Sequence, residues 1–237
     1  KIKNVKYLAG HSLGEYSALV SSGSLKFSDA IYLVHERGKA MQEAVPEGQG
    51  AMLAVLGVPS NEVEDFLKKI KIKDGECEIA NDNSDSQIIL SGNKKAIESA
   101  HKLLKENKKK SMFLPVSAPF HSSLMKSAAD KMREKIQNTS FQDPSTELVA
   151  NVTAESVKTT KDIKNLLVDQ IYSKVRWRES ILYMIKNGVN EFIEIGPGKV
   201  LTGLVKRISG NVSVKSINTI DDIKNLKWLT LKIKKYW

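Results

Sequence analysis

Ala9-Gly10-His11-Ser12-Leu13-Gly14-Glu15 sets one serine between two glycines, each two residues away. The apolar run before it, residues 5–9, reads as a buried strand, and residues 13–20 read as a helix. A strand that turns sharply into a helix crowds its own backbone, and glycine tolerates that crowding. The serine is then pushed above the sheet edge with a helix N-terminus beneath it, the G-x-S-x-G nucleophile elbow. The same letters fit an ordinary strand–turn–helix corner with a capping serine, so the partners of Ser12 decide between the two.

The bulk of the chain narrows the field. Its 237 residues are enough for a large core in one or two domains. Hydrophobic content of 41% and charged content of 27% place it among globular chains rather than disordered ones. The single cysteine, Cys77, excludes an internal disulfide framework and fits a reducing compartment, so a cytoplasmic setting is expected. No apolar run is long enough to span a bilayer, and no membrane partner is expected. The opening KIKNVKYLAG has no signal-peptide h-region, lacks an initiator Met and runs almost at once into a strand, which reads as a chain beginning mid-domain. A net charge of +10 would suit nucleic acid, phosphate-bearing cofactors or an acidic protein. The lysines are scattered, however, and the densest runs, 108–110 and 232–235, lack interleaved aromatics, so nucleic-acid binding is not expected.

Along the chain, residues 26–44 have helical periodicity with Ser28 as the expected N-cap, and Pro46, Gly48 and Gly50 then break it. Strands are expected at 51–58, 76–80, 87–90 and 111–116, with helices at 61–70 and 94–106. Residues 81–86 read as a polar turn between the middle two strands. That order is β-α-β-β-α-β, the split βαβ pattern. After Pro119 helices at 123–136, 162–172, 178–186 and 199–208 alternate with strands at 147–152, 190–195 and 212–217. The expectation is an α/β chain: a large domain (1–47 and 117–237) with a mainly parallel sheet, and a small domain inserted at 48–116. The basic tail from Lys224 reads as solvated or frayed.

A serine hydroxyl is a poor nucleophile until a base takes its proton. His11 adjoins Ser12 but would point elsewhere, and His35 and His101 sit at polar positions of helices. His121 lies where the chain returns to the large domain, in a loop ahead of a helix. By position alone it is equally a general base or a plain capping-region histidine. Arg37 falls on one helical stripe with Ala30, Val34, Met41 and Ala44. A guanidinium on an apolar face is costly unless an anion meets it, and arginine holds a carboxylate through two parallel hydrogen bonds. A protein carboxylate or a snorkelling side chain would also explain it. No His/Cys/Asp cluster has metal-ligand spacing, so no metal is expected.

Five stretches, GHSLGEYSAL (10–19), RGKAMQEAVPEGQGAM (37–52), NDNSDSQIILSG (81–92), PFHSSLM (119–125) and EIGPGKVLTGLVKRI (194–208), together resemble the malonyl-CoA:acyl carrier protein transacylase family of FabD-type acyltransferases. The resemblance covers nearly the whole chain and fails only in the tail. It implies an α/β-hydrolase-like large domain and an inserted ferredoxin-like small domain. It implies that Ser12 carries the malonyl ester and that His121 is general base and then general acid. Gln170 would orient His121 through its main-chain carbonyl, the Leu13 N–H would be an oxyanion donor, and Arg37 would clamp the malonyl carboxylate. Phe120 would mark the malonyl-preferring loop, and Met41 and Met125 would line the acyl pocket. The resemblance also makes the chain N-terminally incomplete, without the Gly-Gln-Gly segment that carries the family's second oxyanion donor. Lys174 stands where the family usually has proline.

The implied function is transfer of a malonyl group from malonyl-CoA to the phosphopantetheine thiol of acyl carrier protein, through a seryl ester, supplying fatty-acid synthesis. No cofactor is expected beyond malonyl-CoA as substrate, and a monomer is expected. Two rival readings fit the same residues. One is a serine esterase or thioesterase with its acid at Asp74, Asp82 or Asp85; the other is a non-catalytic fragment that binds a carrier protein.

Overall fold

A computed structural model describes residues 4–69 and 75–224 of the chain. The fold is mixed α/β. The opening strand β1 (Tyr7–Leu8) turns into helix α1 (Gly14–Ser21), followed by α2 (Phe27–Glu43). Lys26, not Ser28, stands at the cap of α2, because the helix begins one residue before Ser28. The next stretch holds β2 (Gly50–Leu56), α3 (Ser60–Lys69), β3 (Cys77–Ser84), β4 (Gln87–Asn93), α4 (Lys94–Glu106) and β5 (Lys110–Phe113). These four strands form one antiparallel sheet in the order β3-β4-β2-β5. Strand alternation gives β2 two buried faces. Ala51, Leu53 and Val55 face α3 and α4 through Val63, Ile97, Ala100 and Leu104. Met52 and Ala54 pack on the other face with Ile89 and Phe120.

Beyond Pro119 come a 3₁₀ turn (Ser123–Met125), α5 (Lys126–Asn138), β6 (Glu147–Val149), β7 (Ser156–Val157), α6 (Thr160–Asp169) and α7 (Trp177–Lys186). The chain continues through β8 (Glu191–Ile195), α8 (Val200–Ile208), β9 (Ser213–Ile217) and α9 (Ile220–Lys224). The tail from residue 225, and Asp74, lie outside the described residues.

Two expectations change here. The mainly parallel sheet is divided among the described residues into β1-β6-β7 and β8-β9. β1–β6 and β8–β9 are parallel, whereas β7 returns antiparallel to β6 because a tight turn, Ala150 N–H to Glu155 O, reverses the chain directly. The second change concerns residues 81–86. Strand β3 runs on through Ser84, and Asn81, Asp82, Asn83 and Ser84 are all buried. Polarity suggested a surface turn, but the side chains of Asp82, Asn83 and Ser84 find partners in Arg178, His11 and Ser86, which makes their burial tolerable. Asp82 N–H donates to Val175 O, and Val175 N–H to Ala80 O. The Asp82 carboxylate accepts from Arg178 at 2.8 Å. This strip ties the four-stranded sheet to the segment that leads into α7.

One core groups α1, α2, α5 and α6 through Tyr16, Leu19, Leu33, Met132, Ile136 and Leu167. Another gathers β1, β6, α7, α8 and β8 around Val149, Trp177, Ile181 and Leu204. Between them runs the turn from β1 to α1. A Cβ at Gly10 would lie 1.9 Å from Gly14 O, so this turn closes only over a glycine. At Gly14 a Cβ would meet nothing within 4 Å. The crowding read from both glycines therefore belongs to Gly10, and Gly14 contributes only its backbone. Gly10→Ala is expected to destabilise the fold by about 3 kcal/mol or more. Gly14→Ala is expected to stay within about 1 kcal/mol of the parent. Thermal melts followed by circular dichroism check the pair; equal melting temperatures would contradict the assignment.

Candidate active site

Ser12 sits at the head of the turn with φ 53°, and His121 has φ 57°. Left-handed backbone at a residue with a side chain costs about 1–3 kcal/mol, and it persists where the surroundings fix it. Asn151, which follows β6, does the fixing at Ser12. Its Oδ1 accepts from Ser12 N–H at 2.7 Å and its Nδ2 donates to Gly10 O at 2.7 Å. Asn151 N–H in turn donates to the Glu15 carboxylate at 3.2 Å.

The strained pair meets side chain to side chain. Ser12 Oγ lies 2.8 Å from His121 Nε2, and His121 Nδ1 lies 2.8 Å from the main-chain oxygen of Gln170. A carbonyl only accepts, so Nδ1 carries the ring proton and Nε2 presents its lone pair to the serine hydroxyl. Burial first, then the Arg37 charge, hold His121 down to about 3, so the ring is neutral at ordinary pH. Arg37, on α2 and buried, reaches the same point. Its Nη2 donates to Ser12 Oγ at 3.0 Å and to Gln170 Oε1 at 2.9 Å. The Gln170 Nε2 donates to Ser12 O at 3.0 Å and to Glu15 Oε2 at 2.8 Å. Glu15 is buried beneath this network, and desolvation pushes its carboxyl up to about 7 against the opposing pull of Gln170, Asn151 and Arg37.

Ser12, His121, Arg37 and Gln170 are thus in one constellation. Leu13 stands at the N-cap of α1, its side chain exposed, and its N–H has no hydrogen-bond partner among the described residues. Phe120 is half-buried against both the helical core and the four-stranded sheet. Met41 and Met125 are 2% and 0% exposed and fill the helical core, where neither offers free surface to an acyl group. Among the described residues no triad acid meets His121: Asp82 and Asp85 lie against Arg178, and Nδ1 is already taken by a carbonyl. Lys174 points its ammonium at Glu64, 3.4 Å away. His11 is engaged elsewhere, its Nε2 2.8 Å from Asn83 Oδ1 and its ring against Trp177.

Sequence reasoning missed Glu15, Asn151 and the side chain of Gln170. A carboxylate in the first turn of an otherwise apolar helix, next to Tyr16, Ala18 and Leu19, was the available signal for Glu15. Asn151, directly after the apolar Leu148-Val149-Ala150, was the equivalent one.

Residues 5–226 match the family described as "Acyl transferase domain". The malonyl CoA-acyl carrier protein transacylase of Bacillus subtilis is 44% identical over 219 residues, 92% of this chain and 69% of the relative. The crystal structure of acyl-carrier-protein-S-malonyltransferase from Bartonella henselae superposes with a TM-score of 0.91 at 41% identity, covering 96% of this chain and 72% of that one. A malonyl-transacylase solved in complex with its type II PKS acyl-carrier protein gives 0.90 at 40% identity, covering 95% and 73%. No helix among the described residues is long and apolar enough to cross a membrane.

The two buried titrations have opposite signs. Unfolded histidine holds a proton below about pH 6.5, which folded His121 has already lost, so this stability is present above 6.5 and lost as pH falls toward 3. Folded Glu15 holds a proton up to about 7 that an unfolded glutamate releases near 4.5, so its contribution is lost as pH rises between those values. From 4.5 to 6.5 the two slopes cancel. Glu15→Gln removes one of them, and its stability should fall relative to the parent on acidification through that window. Denaturant unfolding at pH 4.5, 5.5 and 6.5 checks this; parallel curves for parent and variant would contradict it.

Proposed function

The chain belongs to the acyl transferase family, and on that footing we propose that it moves a malonyl group from malonyl-CoA to the phosphopantetheine thiol of acyl carrier protein, serving fatty-acid synthesis. The observation that carries the reading is the Arg37 guanidinium resting on the Ser12 hydroxyl, a buried cation at the nucleophile of an acyl transferase. An acyl group ending in a carboxylate has a counterion there; an uncharged one does not. The named relatives and the complex with a carrier protein support the same donor and acceptor.

In the proposed reaction the malonyl carboxylate takes the guanidinium through charge-assisted hydrogen bonds. Ser12 Oγ attacks the thioester carbonyl carbon as its proton passes to His121 Nε2, and the Gln170 carbonyl steadies the imidazolium that forms. The oxyanion of the tetrahedral intermediate faces the Leu13 N–H at the start of α1, where the helix dipole adds to the hydrogen bond. The carbon–sulfur bond breaks, His121 returns its proton to the CoA sulfur, and the malonyl–Ser12 ester remains. The carrier thiol then attacks that ester, giving its proton to His121, and Ser12 leaves with a proton from the same ring. The reaction needs no cofactor. The fold reading is part of the proposal: an α/β-hydrolase-like large domain with a ferredoxin-like domain inserted at 48–116. The strand order β3-β4-β2-β5 with antiparallel pairing throughout supports the second part. A cytoplasmic setting and a monomeric state complete the proposal.

Intact-mass measurement after mixing with malonyl-CoA tests it. A malonyl adduct is expected on the parent and none on Ser12→Ala. Arg37→Ala is expected to form the malonyl adduct on the order of a hundredfold more slowly while acetyl transfer changes little. Equal losses with both donors, or no adduct on the parent, would contradict the reading.

A further inference from the structure

We propose that Glu15 is a positioning residue for the choice of acyl group: through the side-chain amide of Gln170 it holds the Arg37 guanidinium over the Ser12 hydroxyl. The inference rests on the malonyl reading above and adds to it the residue that keeps the cation in place.

A glutamine amide has two unlike ends, an oxygen that accepts and an NH₂ that donates. At Gln170 the NH₂ end faces two oxygens, Ser12 O at 3.0 Å and Glu15 Oε2 at 2.8 Å. The oxygen end faces a donor, Arg37 Nη2, at 2.9 Å. Turning the amide over would set oxygen against two oxygens and NH₂ against the guanidinium. Gln170 is fully buried, so no bulk water relieves such a reversal. The orientation is therefore dictated by the acceptors beneath it, and Glu15 is the closer of the two.

Arg37 depends on that orientation. Among the described residues its hydrogen bonds are to Gln170 Oε1 and Ser12 Oγ, both through Nη2. Its Nε is buried and has no hydrogen-bond partner among the described residues. Among the described residues the amide oxygen is thus the one protein group, besides the nucleophile itself, that accepts from the guanidinium. Glu15 does not touch Ser12 Oγ or His121 in the described contacts. It bears on Asn151 N–H and on Gln170 Nε2, and it acts through them. Removing the acceptor at position 15 leaves a single carbonyl to hold the amide. A malonyl donor, which needs the guanidinium, should suffer from this more than an acetyl donor, which does not.

The test compares Glu15→Met, similar in size but without an acceptor, with Glu15→Gln, whose amide oxygen can accept both hydrogen bonds. kcat and KM are measured for malonyl-CoA and acetyl-CoA with a pantetheine thiol as acceptor, and circular dichroism verifies folding. In Glu15→Met the malonyl-to-acetyl ratio of kcat/KM is expected to fall at least about tenfold, mostly through KM for malonyl-CoA, and in Glu15→Gln to return to within about threefold of the parent. Equal losses for the two donors would mark Glu15 as merely structural and overturn the inference, as would Glu15→Gln behaving like Glu15→Met. A second measurement needs no variant. In the selectively ¹⁵N-labelled parent, nuclear Overhauser contacts from the Gln170 NH₂ to the Glu15 side chain are expected, and contacts to the Arg37 guanidinium instead would overturn the inference. A parent that transfers neither donor refutes the malonyl reading and this inference with it, whereas transfer with an unchanged ratio in Glu15→Met refutes the inference alone.

Discussion

A buried guanidinium 3.0 Å from a serine hydroxyl is the contact on which the rest of this site depends. Taking a full positive charge out of water is costly, and the surroundings must repay it. They do so in layers. Gln170 Oε1 accepts from the cation directly, and Glu15 Oε2 accepts from the other end of the same amide. The cation also acts on its neighbours. It helps keep His121 neutral, so the ring meets the hydroxyl with a lone pair rather than a proton. The serine oxygen can then accept from Arg37 and donate to His121 at once, a polarity suited to losing its proton.

Ser12 and His121 are held face to face on strained backbone that their surroundings fix. Ser12 and His121 both adopt left-handed φ, and both stand in loops between regular elements. The fold concentrates its fixing contacts around them. Gly10 leaves room for the backbone of Gly14, and Asn151 ties Ser12 N–H to Gly10 O. On the other side, β3 pairs with Val175 and holds Arg178 through Asp82, steadying the segment that follows Gln170. The carbonyl that accepts from His121 is therefore framed by residues of the four-stranded sheet as well as by α6.

Much of this was legible in the amino-acid sequence, and the remainder failed for identifiable reasons. Amphipathic periodicity located α2 and α4, and the glycines of the elbow located the turn to α1, because each of these features repeats or punctuates. The apolar stripe through Arg37 pointed to a buried cation, and the structure buries it. Residues 81–86 misled because a polar run ordinarily faces water, whereas here Asp82 and Asn83 are partnered across the fold by Arg178 and His11. Glu15 and Asn151 left no periodic trace, since a single buried polar residue is defined by partners more than a hundred residues away. The division of the parallel strands was equally hidden, because period-two alternation says which face is buried and not which strand is the neighbour.

A crystal structure of the protein trapped as its malonyl ester would show whether the guanidinium receives the substrate carboxylate. The acyl group is expected on Ser12 Oγ, with its free carboxylate hydrogen-bonded to the Arg37 guanidinium and its ester oxygen facing the Leu13 N–H. A malonyl carboxylate turned to solvent, with Arg37 still confined to Gln170, would contradict it.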